Sequence, residues 1–495
     1  MKQKRGMALI VAMMSLTGAI VIGLSVVSVS SRSTMQASRV RNQAAAFNLA
    51  EAGIERTVRW FMDQAYPPST SADFDPFSGA KTLGDGTYSV VVDPDNANAS
   101  NPLKQWLVTA TGTSRGVTQK VQVTIKQRSF GQYAYFSDQE SANPISSPIW
   151  FMSRDRIRGP VHTNNSNGAI TNIDWSGVTR PIFESTVTMS GSYANYSPSS
   201  PTTDDDYNSI FKLGRSALKL NEDKIDLPTS SSIQQDAAWG ATSGFPTTTG
   251  VSIPTSGGVY VKGDAKITMS VSGASKQVFT IVQGSTTSVV TVDLSAMTTT
   301  LQTGSTTTTR ANVGTGVVFV DGHITSLSGT VMDNVTTGST TVRSAYTITA
   351  NIDTGKKIVI TDDIKYKTSV DPTKGANDAN NKTAGTLGLY AANIEIDESA
   401  PRTLQIDALV MAGNNSTTNG SFYAEDHDER DTGRLTLTGG LIQKIRGPVG
   451  TFSGSKIRSG YEKDYYYDPR LADDPPPYFP TTGKFDKLYW NRLAG

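Results

Sequence analysis

Residues 2–29 read KQKRGMALIVAMMSLTGAIVIGLSVVSV. Three cations, Lys2, Lys4 and Arg5, end at Gly6, and from Met7 to Val29 no residue carries a charge. At 1.5 Å per residue the uncharged run makes a helix of about 33 Å, enough to cross the hydrocarbon core of a bilayer. The positive charges precede it, so the N-terminus is expected in the cytoplasm and everything past Val29 outside. A secretory signal peptide is the ordinary reading of such a start. Here the apolar run is longer than an ordinary h-region, and no small-x-small site followed by a change of structure lies behind it.

The helical pattern continues instead. Val40, Ala44, Phe47, Glu51, Ile54, Val58 and Phe61 recur at helical spacing, with Glu51 the one polar member. Arg39, Arg41, Glu55, Arg56 and Arg59 lie mainly off that stripe, and Pro67 and Pro68 end it. The spacing predicts one helix from Met7 to about Ala65, on the order of 90 Å long, half suited to lipid and half amphipathic. An uncleaved signal anchor does not need the second half.

These residues resemble a known family. A short basic leader ending in glycine, an apolar helix and its amphipathic continuation look like type IV pilins and type II secretion pseudopilins. More narrowly, RGMALIVAMMSL (5–16) with NQAAAFNLAEAGIE (42–55) is similar to the start of PilX-type minor pilins, AEAGIE (50–55) being the most distinctive part. The resemblance covers about the first sixty residues. It implies cleavage by prepilin peptidase between Gly6 and Met7, methylation of the new N-terminus, and a single-pass precursor in the bacterial inner membrane. It implies later residence in a pilus at the cell surface. Other pilins and minor pilins, and the inner-membrane assembly machinery, are the partners it implies. Major pilins resemble one another in a glutamate at the fifth residue after the cut; here that residue is Val11. In the family this carboxylate pairs with the N-terminal amine of a neighbouring subunit during assembly, and a buried carboxylate without such a partner is costly. A subunit lacking it suits a place with nothing above it, at a filament tip.

The remainder of the 495 residues is long enough for two or more domains. The chain is 37% hydrophobic, and Gly, Ser, Thr, Asn and Asp dominate after the first thirty residues, as in many short strands joined by turns. It has no cysteine, which excludes disulfides, thiolate metal clusters and a Cys nucleophile. Formal charge is +1, or −2 without Lys2, Lys4 and Arg5, and neither balance marks a dedicated nucleic-acid binder. GTYSVVVD (86–93), QWLVTATGTS (105–114) and VTQKVQVTIKQ (117–127) read as three antiparallel strands, the last two joined by a tight turn at Arg115-Gly116. Val117, Lys120, Gln122, Thr124 and Lys126 give the third strand one wet face. The sheet is expected to bury its other face on Phe47, Ile54, Val58 and Phe61. DPDNANASN (93–101) looks like a calcium loop, but the twelfth position is Lys104 where an EF-type loop needs Glu, so a solvated turn is the better reading.

From about Phe130 the character changes. Runs such as GGVYVKGDAKITMSVSG (257–273), TGVVFVDGHITSLSG (315–329), KKIVITDDIKY (356–366) and RTLQIDALVMAG (402–413) alternate with turn residues. This reads as a right-handed β-helix or β-solenoid-like domain, with a sandwich as the alternative. Residues 284–310, rich in Thr, read as a β-excursion with flexible tips. IRGPVHT (157–163) echoes IRGPVGT (445–451), which suggests equivalent coils near the two ends of one domain. The fold class is thus mainly β with one long N-terminal helix. The expected organisation is a leader 1–6, a pilin helix 7–66, an antiparallel sheet 67–128, a solenoid-like domain 129–460 and a Pro/Tyr-rich tail 461–495. FSD (136–138), GPVHTN (159–164) and YDPRLADDPPPYFP (467–480) resemble an uncharacterised family of domains appended to PilX-like N-termini, over about Phe130 to Pro480. That resemblance implies architecture and association with pili, not chemistry. Large competence-type minor pilins with a β-solenoid inserted in the head, some of which bind DNA, look like the nearest functional analogy.

No catalytic, cofactor or metal site is expected. His162, His323 and His427 are far apart and lack ligand spacing, and there is no G-x-S-x-G, P-loop or H-E-x-x-H. His427 lies in EDHDERD (425–431), where a divalent cation or a solvated charged loop are both open; Asp204–Asp206 and Asp362-Asp363 invite the same two readings. A β-solenoid can also carry polysaccharide-active carboxylates, but no cluster is visible. Arg154, Arg156, Arg158, Lys444, Arg446, Lys456 and Arg458 lie in basic runs interleaved with Ile, Tyr and Trp, and are the candidates for nucleic-acid contact. Two function classes follow. One is a minor pilin or secretion pseudopilin that primes or caps a filament; the other is a binding module on it, an adhesin or DNA receptor.

Overall fold

The computed structural model describes the chain except residues 1–2, 65–71, 95–104, 141–148, 153, 165–171, 178, 414–419, 454–455 and 494–495. The Pro67-Pro68 stop and most of the 93–101 turn lie outside the described residues. The protein is mainly β with one long N-terminal helix. It divides into two compact units: Met1–Ala99 with Lys104–Gln127 and Phe485–Gly495, and Arg128–Lys484 with Ser100–Leu103.

In the helix-sheet unit, α1 (Gln3–Met62) is one unbroken helix. Strands β1 (Lys81–Leu83), β2 (Gly86–Pro94), β3 (Gln105–Ser114) and β4 (Val117–Ser129) form an antiparallel meander. Arg115 and Gly116 both adopt positive φ, 46° and 79°, as a two-residue hairpin turn of the primed type requires. Strand alternation sorts the faces. Val90, Val92, Trp106, Val108, Ala110, Val121, Val123 and Ile125 point inward, whereas Lys120, Gln122, Thr124 and Lys126 stay at least partly wet. The inner face packs on Leu49, Ala50, Ile54, Val58 and Phe61. At Gly112 the sheet lies directly on the helix backbone: a Cβ there would sit 2.0 Å from the Ala46 carbonyl oxygen. Val40 and Ala44, expected on the buried stripe, are exposed, because the covered face begins only at Ala46.

Sequence patterning missed a fifth strand. The chain's last strand, Thr481–Leu493, lies next to β4. Phe485 packs among Phe61 and Trp106, Trp490 donates its indole N–H to Glu51 at 2.7 Å, and Arg492 donates to Gln119 at 2.6 Å. The lone polar residue of the helical stripe, Glu51, thereby gains a partner from the far end of the chain.

The second unit is a coil whose turns stack by parallel pairing in three ladders. The first ladder passes, in space, through Val259–Lys262, Val317–Asp321, Ala345–Ala350, Thr386–Ala391 and the later halves of Thr403–Ala412 and Gly433–Ile445. It then continues through Tyr135–Gln139, Val161–Thr163, Val187–Met189 and Leu218–Lys219. The second ladder joins Ala265–Ser272, Ile324–Val331, Lys357–Tyr366, Asn393–Ile396 and Phe422–Ala424, and separately Trp150–Phe151, Asn172–Asp174 and Asn195–Ser197. The third runs from Ile324–Val331 and Lys357–Tyr366 through the early halves of Thr403–Ala412 and Gly433–Ile445. It goes on to Lys456–Tyr467, Arg156–Arg158 and Ile182–Phe183. This is the solenoid-like architecture expected from the runs of Val, Ile and Thr. Inward side chains such as Ile324, Ile360, Leu389, Ile396, Leu404 and Leu437 are fully buried. Their burial on successive turns gives each turn an apolar partner above and below.

The coil begins in its own middle. The chain enters at Tyr135, winds to Lys219, returns along the outside and starts again at Val259. Its last turn, Gly433–Tyr467, lands beside its first, where Leu441 pairs with Tyr135 and Tyr465 with Ile157. The return segment is held by Ile225 N–H to Asn164 Oδ1 (2.9 Å) and Ser231 N–H to Asp353 Oδ2 (3.0 Å). The tail 468–480 runs back over the first ladder as well, with Phe479 seated where a Cβ on Gly388 would be. Ile225, Leu471 and Phe479 close an apolar layer there with Phe136, Tyr390, Met411 and Ile442.

Two expectations change. The IRGPV echo does not mark equivalent coils at the ends of a domain. Ile157-Arg158 closes a third-ladder strand, whereas Ile445 ends a first-ladder strand, and the two segments sit in turns flanking the junction. What they share is a Gly-Pro corner without room for a side chain, since a Cβ on Gly159 or Gly447 would approach neighbours within 2.4 Å and 2.2 Å. The Thr-rich excursion is an antiparallel meander that already starts at Lys276. Its Phe279, Ile281, Val290 and Val292 are part of the coil's core.

Candidate functional site

Two places hold chemistry that the packing of each unit does not require. The first is the bare part of α1. From Met7 to Val29 every large apolar side chain is exposed, by 52% to 70%, and Val11 is 63% exposed. Three of the four hydroxyls in this stretch are returned to the helix itself: Ser15 donates to the Val11 carbonyl at 2.8 Å and Ser25 to the Val21 carbonyl at 2.7 Å. Thr17 bonds to the Met13 carbonyl in the same way. Polar groups satisfied within one helix are what a water-free surrounding demands. By length and composition α1 can cross a membrane. Gly6 and Met7 lie within the continuous helix.

The second place is the seam where the coil's last turn meets its first. Arg446 and Glu140, both buried, pair at 2.8 Å; Lys463 and Asp155, both buried, pair at 2.6 Å. Arg446 also donates to the carbonyls of Ile149 (3.1 Å) and Trp150 (3.2 Å) and stacks 3.8 Å above the Phe151 ring. Gln443 donates to the Tyr135 hydroxyl at 3.2 Å. Burial lowers the pKa of Lys463 against the opposing charge of Asp155, and burial next to Glu140 raises that of Tyr135 well above its usual value. A cavity of about 260 Å³ opens here between Trp150, Phe151, His427, Phe452 and Lys463.

The seven candidate nucleic-acid residues fall on and around this seam, but most are committed. Arg446 is the buried partner of Glu140. Arg158 pairs with Asp464 and lies 4.0 Å over Tyr466, Arg156 pairs with Glu184, and Arg154 reaches Glu462 at 3.0 Å. Lys444 is half-buried against Gly420, while Lys456 and Arg458 are exposed. Asp206, from the acidic triplet, closes a capping box with Thr203 at the start of α2 (Asp204–Ile210), and those hydrogen bonds lower its pKa. Asp363 accepts the Gln405 N–H at 2.7 Å and pairs with Lys365. His162 is buried on Phe136, bonded to Thr188 and Asn164. Among the described residues no group of three or more His, Cys, Asp or Glu could hold a metal ion.

Glu140, Asp155 and Lys463 escaped sequence reasoning. Each sits among other charges or turn residues, as in SRDRIR and GYEKDYYYD, and reads as solvated. For Lys463 the available signal was a charge at an inward-facing position of a strand run; Glu140 and Asp155 flank strands and carried none.

Comparison with known proteins adds little. A sequence family described as a domain of unknown function, DUF4900, matches residues 101–192, less than a fifth of the chain. That span runs from just before β3 into the first turns of the coil. It overlaps the expected Phe130–Pro480 region over residues 130–192. No curated protein matches. Among solved structures, the crystal structure of the competence-associated pilin ComZ from Thermus thermophilus aligns over 91% of this chain and 97% of its own, at 14% identity and a TM-score of 0.28. That score is too low to demonstrate a shared fold.

Proposed function

We propose that this chain is a minor pilin of a type IV pilus system, helping to prime or cap the filament and presenting its coil unit at or near the tip. The observation that carries this reading is α1. It is one unbroken helix whose uncharged stretch Met7–Val29 leaves every large apolar side chain exposed, while its face from Ala46 onward is covered by an antiparallel sheet. An anchor needs the first half only. The two together suit a subunit that is stored in a membrane and later packs by the same apolar surface against other helices, where small numbers of polar atoms are already satisfied internally. The basic leader ending at Gly6 and the AEAGIE segment support the same reading, with prepilin peptidase, the assembly machinery and other pilins as partners. Val11, in place of the carboxylate, favours a terminal rather than an interior position.

Mass spectrometry of the mature chain is the direct test. A chain beginning at methylated Met7 is the expected result; retention of residues 1–6 sinks the proposal. Val11→Glu is expected to change incorporation into filaments, and unchanged incorporation counts against the tip position.

A further inference from the structure

At the seam, Lys456–Tyr467 runs parallel to Arg156–Arg158, with Asp464 opposite Arg156 and Tyr465 opposite Ile157. Lys463 and Asp155 stand one position earlier on the two segments, and Lys463 Nζ lies 2.6 Å from Asp155 Oδ2. The rings of Phe151 and Phe452 lie 5.7 Å and 5.9 Å from the same nitrogen. The Lys463 side chain is 10% exposed and that of Asp155 1%, whereas Lys262 and Lys357, paired with Asp321 and Glu395, keep 33% and 38% in contact with water. Burial holds the Lys463 pKa below its usual value and so favours the neutral, nucleophilic amine. The two oxygens of Asp155 are not equivalent. Oδ2 accepts the Met152 N–H at 3.0 Å as well as the ammonium, while Oδ1 is buried with no partner. A carboxylate oxygen left in that state is costly.

We propose that Lys463 and Asp155 condense to an isopeptide bond, Nζ to Cγ, which ties the last turn of the coil covalently to its first. One proton passes from the ammonium to Oδ2, leaving a neutral amine beside a neutral acid. The nitrogen lone pair then forms the Nζ–Cγ bond, and a second proton moves from nitrogen to Oδ1. The adduct collapses by breaking the Cγ–Oδ1 bond. Oδ1 leaves as water with both protons, and Oδ2 remains as the amide carbonyl. Ammonium and carboxylate thus give amide and water, with no co-reactant. Holding the two groups in contact replaces a bimolecular encounter, an advantage of roughly 10⁵–10⁸ M in effective concentration when the geometry is right. Charge developing on Oδ2 is answered by the Met152 N–H and by the field of Arg446, which acts on the same carboxylate. The atom expelled is the one the fold leaves unbonded, and two buried charges disappear with it. Lys463 lines the seam cavity, which gives the released water a way out. The neighbouring Arg446–Glu140 pair cannot follow the same course, because a guanidinium keeps its proton. The bond forms within the coil unit and does not depend on α1.

The test is peptide mass spectrometry of the folded full-length chain, purified in detergent, then unfolded in urea and digested with chymotrypsin. Unfolding separates an ion pair but not an amide. The expected result is a branched peptide whose mass is that of the Asp155 and Lys463 segments together less one water, with fragment ions placing the link on those two residues. Lys463→Arg keeps a cation beside Asp155 but cannot condense, and is expected to yield only linear peptides; Asp155→Ala is expected to do the same. Because the product is read from internal peptides, processing at Gly6 does not affect it. Linear peptides alone from the folded parent chain overturn the proposal. So does a loss of water confined to the Asp155 peptide, which is an internal imide, or a branched peptide that persists in Lys463→Arg.

Discussion

Neighbouring turns of the coil are joined in two chemically different ways. Between Thr403–Ala412 and Gly433–Ile445 the interior is Leu404, Ile406, Leu435 and Leu437, all fully buried and apolar. At the seam the same kind of parallel ladder encloses Arg446 with Glu140 and Lys463 with Asp155. Consecutive turns are delivered to each other by the chain, so aliphatic contact suffices. The seam partners are 306 and 308 residues apart and must select one another. Buried ion pairs add little net stability but strongly penalise a wrong neighbour. The contrast suggests that the apolar turns supply stability and the seam supplies register.

Four substitutions break or sharpen that contrast. Arg446→Met alone leaves Glu140 buried without its cation and is expected to cost about 3–5 kcal/mol in chemical denaturation. A loss below about 1 kcal/mol would mean that the pair does not define the seam. Leu404→Ala, which opens a cavity between apolar turns, is expected to cost about 3 kcal/mol, within the usual 2–5 for such truncations. Combining Arg446→Met with Glu140→Leu should return stability to within about 1 kcal/mol of the parent, because both charges are then gone. If the double variant remains as weak as the single one, the ion pair matters for stability and not for choice of neighbour. The smallest effect concerns pH. Burial holds the His162 pKa below its usual value, so its contribution is fully present above about pH 6.5 and is lost as pH falls through that range toward the lower folded value. His162→Gln should flatten stability over that window, and an unchanged slope would assign the pH dependence elsewhere.

How much was legible follows from the range of the interactions. The runs 86–93, 105–114 and 117–127 appear as strands within two residues of their expected bounds, because alternation and the Arg115-Gly116 turn are local signals. The coil's strands were legible as apolar runs between turn residues. Their spatial order was not, since parallel pairing leaves no short-range mark and nothing near Tyr135 announces Leu441. Val40 and Ala44 show the same limit: periodicity identifies a face but not where its cover begins. For the candidate site, the half-helix from Met7 could be read directly from its lack of charge. The commitment of Arg158 and Arg446 could not, because their carboxylates arrive from Asp464 and Glu140 on distant segments.

The mid-stack start of the coil has a consequence for synthesis. A chain made from its N-terminus completes the strands Tyr135–Gln139 to Leu218–Lys219 long before Gly433–Ile445 exists to cover the open edge of the first. For that interval Tyr135–Gln139 is an exposed parallel edge, the kind of template that captures the wrong strand. Glu140 and Asp155 stand beside that edge as unneutralised charges until Arg446 and Lys463 emerge. The residues that later lock the seam thus place charge beside an open strand edge, which disfavours its pairing with a second chain.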